Sequence, residues 1–236
     1  MAGQPPALEL RQITVGYAKT IVLRDVSLAV PRSTVVALLG ANGAGKTTLL
    51  RTAAGLLKPK SGTIHVGLTD VTELAPHRRA RTGLCLIPEG RGIYKSLTVR
   101  ENLELQVPPW VSDDNVEQAV AFFPELSPLL RRIAGTLSGG EQQMVALART
   151  SLAAPSVALL DEVSMGLAPR IVDRIFEALH QLAATGMAIV LVEQYVNRAL
   201  AMADAACVLN RGSITYTGSP QDLDEEILSD NYLGAA

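Results

Sequence analysis

A mostly parallel α/β fold is what this sequence predicts, and three observations predict it. Short, continuous apolar runs recur along the chain: VVALLG at residues 35–40, SVALLD at 156–161, MAIVLVE at 187–193 and AACVLN at 205–210. Runs this short, without alternation, are the mark of strands covered on both faces. Between two of them lies PRIVDRIFEALHQLAATG, which opens on Pro169 and closes on Gly186. Its Ile171, Ile175, Leu179 and Leu182 fall on one helical face. Finally, the first apolar run leads straight into GANGAGKTT, residues 40–48, a glycine-rich turn from strand to helix. Strands alternating with amphipathic helices imply a doubly wound core.

In chain order, LELRQITVGY and TIVLRDVSLAV come first. Both are rich in β-branched residues and partly alternating, so β structure precedes the core. Residues 88–151 then break the strand–helix rhythm. They hold the turn-rich linker VPPWVSDD, in which Trp110 is expected to anchor by packing, and then helical patterns with no clear strand. A helical lobe over 88–151, inserted into a core of 1–87 and 152–236, is the expected organisation. No internal repeat interrupts it.

The 236 residues are 48% hydrophobic and 19% charged, with a net charge of −2. That balance supplies no broad positive field, so no nucleic-acid partner is expected. The basic run HRRAR, residues 77–81, reads as a solvated face. Cys85 and Cys207 sit in the apolar runs GLCLIP and AACVLN and read as buried, reduced thiols. His65, His77 and His180 lack the spacing of a zinc site. The opening MAGQPPALEL has no apolar segment of signal-peptide type, and no stretch approaches the roughly 20 apolar residues of a membrane span. A soluble cytoplasmic protein is expected; were it to serve transport, other chains would supply the pore.

The chemistry concentrates in two motifs. Gly40–Thr47 fits G-x-x-x-x-G-K-[ST] in the strand-to-helix setting that pattern needs. Glycines let the backbone curl around phosphate oxygens. Lys46 brings a point charge to the β- and γ-phosphates, and Thr47 offers its hydroxyl to Mg²⁺. Gly40, Asn42, Gly43, Gly45, Lys46, Thr47 and Thr48 are thus the expected nucleotide contacts, with Lys46 also assisting catalysis. SVALLDE ends a strand in Asp161 and Glu162, placing one carboxylate to hold Mg²⁺ through water and the next to polarise the attacking water. A nucleoside triphosphatase follows. Without an N-K-x-D motif, a small GTPase does not fit.

A third motif, LSGGEQQ from residue 137, sits between these two. With it, the ordered set resembles the ATP-binding subunit of an ABC transporter over nearly the whole chain. The resemblance implies a P-loop (RecA-like) nucleotide-binding core with an N-terminal antiparallel β subdomain and an inserted helical subdomain. It also implies head-to-tail pairing with a second ABC ATPase subunit, a copy or a related chain. Ser138, Gly139 and Gly140 would then close on the γ-phosphate held by the partner's P-loop. By the same resemblance Tyr17 matches the aromatic that stacks on adenine.

Three positions depart from the common family pattern. Glu89 stands at the Q-loop glutamine, Gln194 at the switch histidine, and Val163 at the proline after the catalytic glutamate. PEGR, LTV, ENL, GLAP, VEQ and a terminal YLG resemble the ATPases of branched-chain amino acid importers, particularly the F-type of that system's two ATPases. In that branch Glu89 and Gln194 are usual, so Glu89 is expected at the nucleotide and Mg²⁺, and Gln194 at the γ-phosphate. Val163 departs even there, adds a backbone N–H, and is expected to loosen the turn. Ser33-Thr34 replaces a turn glycine, with a local effect. The resemblance further implies two membrane permease subunits as partners, with contact through residues 89–102 and their Ile93, Tyr94 and Leu97. An extracytoplasmic substrate-binding protein would act indirectly, and the chain would sit peripherally on the cytoplasmic face of the cell membrane.

Overall fold

The computed structural model describes residues 4–110 and 116–223; the terminal YLG and part of the VPPWVSDD linker lie outside them. Strands β1 (Leu8–Tyr17) and β2 (Thr20–Val30) form an antiparallel hairpin. With β4 (Ser61–Val66) and β5 (Thr69–Asp70) they make a four-stranded sheet in the order β2-β1-β4-β5. The second sheet has six strands: β3 (Val35–Leu39), β6 (Leu84–Ile87), β7 (Val157–Asp161), β8 (Ala188–Val192), β9 (Ala205–Asn210) and β10 (Ser213–Gly218). Their order is β10-β9-β3-β8-β7-β6, parallel except for β10, which pairs antiparallel with β9.

Burial on both faces explains the unbroken apolar runs. In β3, Val36 and Leu38 point toward the small sheet, where they join Ile13, Val15, Leu23 and Val26. Helix α1 (Lys46–Ala53) is wedged into the same layer through Leu49 and Leu50. Val35, Ala37 and Leu39 point the other way, to helices α5 (Gly139–Ala153) and α6 (Pro169–Ala184). Helix α6 buries Val172, Ile175, Leu179 and Leu182 on one face, with Ile171 partly covered, and stops at Gly186, whose φ is 100°. Ser33 stands where the family usually has a turn glycine. Its backbone is left-handed (φ 54°) and its hydroxyl donates to the Gly186 carbonyl at 3.3 Å.

Helices α3 (Val99–Glu104) and α4 (Val116–Phe122) pack on α5, and no strand occurs between residues 88 and 151 among the described residues. Helix α5 itself runs through Ala153, so the boundary drawn at 151/152 falls inside a continuous helix. Its Leu147, Ala148 and Leu152 pack into the core beneath the large sheet.

The basic run corrects the expectation of a solvated face. It forms helix α2 (Pro76–Arg81), and while His77, Arg78 and Arg81 are exposed, Arg79 is 2% exposed. Its guanidinium donates to the carbonyls of Thr52 and Ala53 (both 2.8 Å), Thr72 (2.7 Å) and Leu74 (3.0 Å). The first two lie at the C-terminus of α1, where a cation is well placed; Thr52 also accepts the Gly55 N–H at 3.1 Å, while Ala53 relies on Arg79. Trp110 is half exposed rather than packed in, with the Arg81 guanidinium 5.4 Å from its ring centre.

Candidate functional site

Every predicted catalytic group sits at the C-terminal end of a core strand. The glycine-rich loop follows β3, Glu89 follows β6, Asp161 closes β7 with Glu162 next, and Gln194 comes two residues after β8. Strands β3, β8, β7 and β6 are neighbours in that order, so their loops converge on one edge of the sheet, where open α/β sheets bind ligands.

Two glycines in the loop are required by space. Gly40 has φ 145°, and a Cβ there would lie 2.1 Å from the Leu209 carbonyl oxygen. Gly45 has φ 111° and caps α1 without a side-chain hydrogen bond; a Cβ would meet Leu23 Cδ2 at 2.5 Å. The mouth of α1 therefore presents bare N–H groups and the positive end of its dipole, an anion site by construction. Lys46 is 8% exposed, and its Nζ curls back to donate to the carbonyls of Gly40 (2.7 Å) and Ala41 (3.0 Å). Burial holds its pKa below the ordinary lysine value, against the pull of Glu162 and Asp161.

Thr47 Oγ1 donates to Asp161 Oδ1 at 3.2 Å. Burial pushes the Asp161 carboxyl upward; the Thr47 hydrogen bond opposes this and the Glu89 charge reinforces it. Glu162 is also raised, first by burial, then by Glu89, with Lys46 acting the other way. Glu89 and Glu162 line one cavity, and Asp161 reaches its edge through the hydrogen bond from Thr47, a donor set that suits a cation. Among the described residues no three acidic, histidine or cysteine side chains form a metal cluster. Magnesium needs none when phosphates supply ligands, since one or two protein oxygens suffice. The Thr47 hydroxyl and the Asp161 carboxylate fit that requirement.

Asn42, Gly43, Gly45, Lys46, Thr47, Thr48, Glu89, Glu162 and Gln194 share a cavity of about 390 Å³, joined by Val22 and Met165. An adjoining cavity of about 600 Å³ adds Gly40, Ala41 and Glu193 to Asn42, Lys46 and Gln194. Two sets of predicted residues lie apart from this pair of cavities. Tyr17, 46% exposed at the end of β1, lines a separate hollow with Arg51, Leu56, Leu57, Leu86, Pro88 and Asp161. Ser138, Gly139 and Gly140 line neither phosphate cavity and open α5 elsewhere. There Ser138 and Glu141 form a capping box: Glu141 N–H donates to Ser138 Oγ, and Ser138 N–H to Glu141 Oε2. Gly140 has no room for a side chain, since a Cβ would sit 2.6 Å from Ile171 Cγ2.

Several contacts here escaped the sequence reading. Arg91, in left-handed backbone (φ 63°), donates to Gln142 Oε1 at 2.8 Å and so ties the loop carrying Glu89 to α5. Glu193 is buried at 2% exposure and accepts from both the N–H and the hydroxyl of Ser164. The signal was available: Glu193 is an acid closing an otherwise apolar strand run. Val163 does not loosen its turn as expected, because it is packed in the core and Ser164 beside it is anchored. Of the apolar residues in 89–102, Ile93 packs inward on the core, Leu97 is half-buried, and Tyr94 is 57% exposed.

A second groove, of about 430 Å³, runs between Leu84, Cys85 and Leu86 on one side and Tyr94, Leu105 and Trp110 on the other. Inside it neither amide atom of Gln106 has a hydrogen-bond partner. No described helix is long and apolar enough to cross a membrane.

With this geometry in hand, comparison with known proteins is informative. The family model for "ABC transporter" matches residues 23–165. The high-affinity branched-chain amino acid transport ATP-binding protein BraG of Pseudomonas aeruginosa is 40% identical over 232 residues, covering 96% of this chain and 99% of its own. A probable branched-chain amino acid transport ATP-binding protein, LivF of Archaeoglobus fulgidus, is 35% identical over 218 residues, covering 91% and 92%. A crystal structure of an ATP-binding cassette of an ABC transporter in its ADP conformation superposes with a TM-score of 0.83 at 26% identity, covering 99% of this chain and 100% of the other.

Proposed function

The chain belongs to the ABC transporter family as an ATPase subunit whose hydrolysis is coupled to transport, and from that premise we propose that it energises the import of branched-chain amino acids. The observation that carries the reading is the convergence of four strand-end loops on one cavity, bringing Lys46, Thr47, Glu89, Glu162 and Gln194 together. The cargo rests on the likeness to the two branched-chain relatives.

ATP lies with its phosphates over the mouth of α1, and Lys46 leaves the Gly40 and Ala41 carbonyls to pair with the β- and γ-phosphate oxygens. Thr47, Asp161 and Glu89 would hold Mg²⁺, which would supply positive charge to offset that of the phosphates. Glu162 accepts a proton from water as the oxygen attacks the γ-phosphorus in line and the bond to ADP breaks. Gln194 donates an amide hydrogen to a γ-phosphate oxygen. Tyr17, exposed at the end of β1, stacks on adenine.

Ser138, Gly139 and Gly140 complete the site of a second subunit, a copy or a relative, paired head to tail. ATP then joins two subunits through contacts that last only while the γ-phosphate is attached. The apolar groove bearing Tyr94, Trp110 and the unpaired Gln106 amide receives a cytoplasmic segment of one of two permease subunits. The chain works at the cytoplasmic face of the membrane, and a substrate-binding protein delivers cargo from the other side.

Glu162→Gln tests the chemistry. It should keep ATP affinity, slow turnover by about a hundredfold or more, and accumulate ATP-loaded dimers on size-exclusion chromatography. Hydrolysis at the wild-type rate overturns the assignment. In proteoliposomes holding the permease and binding protein, leucine, isoleucine or valine should stimulate hydrolysis; stimulation by urea or a short amide alone overturns the cargo.

A further inference from the structure

We propose that Glu193 is a positioning residue for hydrolysis: its buried carboxylate ties the turn carrying Glu162 to the loop carrying Gln194. This rests on the reading of Glu162 as the water-polarising base. A carboxylate at 2% exposure is tolerated where its oxygens are hydrogen-bonded. Here both are: Oε1 accepts from Ser164 N–H at 3.0 Å, and Oε2 from Ser164 Oγ at 2.5 Å. Ser164 is itself fully buried.

The placement gives that arrangement its meaning. Strands β7 and β8 are parallel neighbours whose ladder ends at Asp161 opposite Val192. One more bond, Glu162 N–H to the Val192 carbonyl (2.9 Å), joins the two chains before they part. Glu162 then adopts left-handed backbone (φ 50°), a conformation its surroundings must enforce. Ser164 lies two residues beyond Glu162, and Glu193 one residue before Gln194. The carboxylate clamps the turn on its far side, so Glu162 is held between the Val192 carbonyl and the Glu193 strap. A packing residue at 193 would fill the space without fixing Ser164. The strap also keeps that turn in place without the proline that Val163 replaces.

A double-mutant cycle in the assembled transporter tests this. Ser164→Ala removes the hydroxyl donor and leaves the N–H. It should lower kcat about tenfold to a hundredfold with the KM for ATP changed less than about twofold, and Ser164→Thr, which keeps a hydroxyl, should recover most of the loss. In a Glu162→Gln background, Ser164→Ala and Glu193→Gln should lower the residual rate no further, because the base they position is gone. Equal losses in both backgrounds, or a raised KM with kcat intact, overturn the positioning role. If Glu162→Gln alone leaves turnover untouched, the reading of the base falls instead, so the two failures are told apart.

Discussion

Replacing Arg79 should unsettle the nucleotide cradle from a distance of two helices. Its guanidinium makes four hydrogen bonds to backbone carbonyls, two of them to Thr52 and Ala53 at the end of α1. That helix begins at Lys46, so its C-terminus sets how its mouth meets phosphate. Arg79→Met keeps much of the stem but strands the carbonyls of Ala53, Thr72 and Leu74, while Thr52 keeps its bond from Gly55 N–H. A charged hydrogen bond is worth about 1.5–3 kcal/mol, and a stranded buried acceptor costs about 1–3 kcal/mol. Relaxation and entering water recover part, so a loss of about 3–5 kcal/mol is expected. For a domain of this size that lowers Tm by about 10 °C. Arg79→Lys should recover only part, because one ammonium cannot fork to four acceptors. Urea unfolding with and without ATP provides the assay. A loss under about 0.5 kcal/mol, the range of an ordinary surface substitution, would refute the reasoning.

Two further outcomes follow from the structure. Lys46→Ala and Ser138→Ala chains, each weak alone, should regain roughly a quarter of wild-type turnover when mixed with permease, since random pairing makes half the dimers heterodimeric with one intact site each; no recovery means that residue 138 does not serve the partner's site. Burial lifts the Cys207 thiol from the ordinary 9.0 to about 11, opposed by Thr217. The folded chain therefore binds the proton more tightly, and the stability this gives is present below pH 9 and lost as pH rises toward 11, up to about 3 kcal/mol. Cys207→Ala should flatten the decline in urea midpoint between pH 9 and 11, and an unchanged slope would count against it.

The strand ends were readable because their physics is local. A run such as VALLD needs no partner to announce burial on two faces, and Gly40 and Gly45 stand where no Cβ fits. The convergence of four loops then follows from parallel strands sharing one edge. Arg79 was unreadable for the opposite reason: its acceptors at Thr52 and Ala53 lie 27 and 26 residues away, while its neighbours Arg78 and Arg81 do face solvent. Ile93 and Tyr94 look alike in sequence, yet only the course of the loop decides that one packs inward and the other faces out. Val163 suggested a looser turn because the strap restraining it comes from Glu193, just past the end of β8.

Ser138 shows why a structural and a functional assignment need not compete. As N-cap of α5 its Oγ accepts the Glu141 N–H, at 3.3 Å, while the Glu141 carboxylate is engaged by Ser138 N–H. The cap consumes a lone pair and leaves the hydroxyl proton free to donate. Gly139 and Gly140, at the first two helical positions, add N–H groups without intrahelical partners. One helix start thus holds itself together with acceptors and keeps its donors for an anion. Ser138→Asp separates the two functions. The carboxylate caps as well as serine, so stability should stay within about 0.5 kcal/mol, but it has no proton to give and repels a γ-phosphate. Turnover should collapse while the urea midpoint holds. A variant that kept both would show that this hydroxyl only caps its helix; one that lost both would show that the cap, not the lost donor, limits activity.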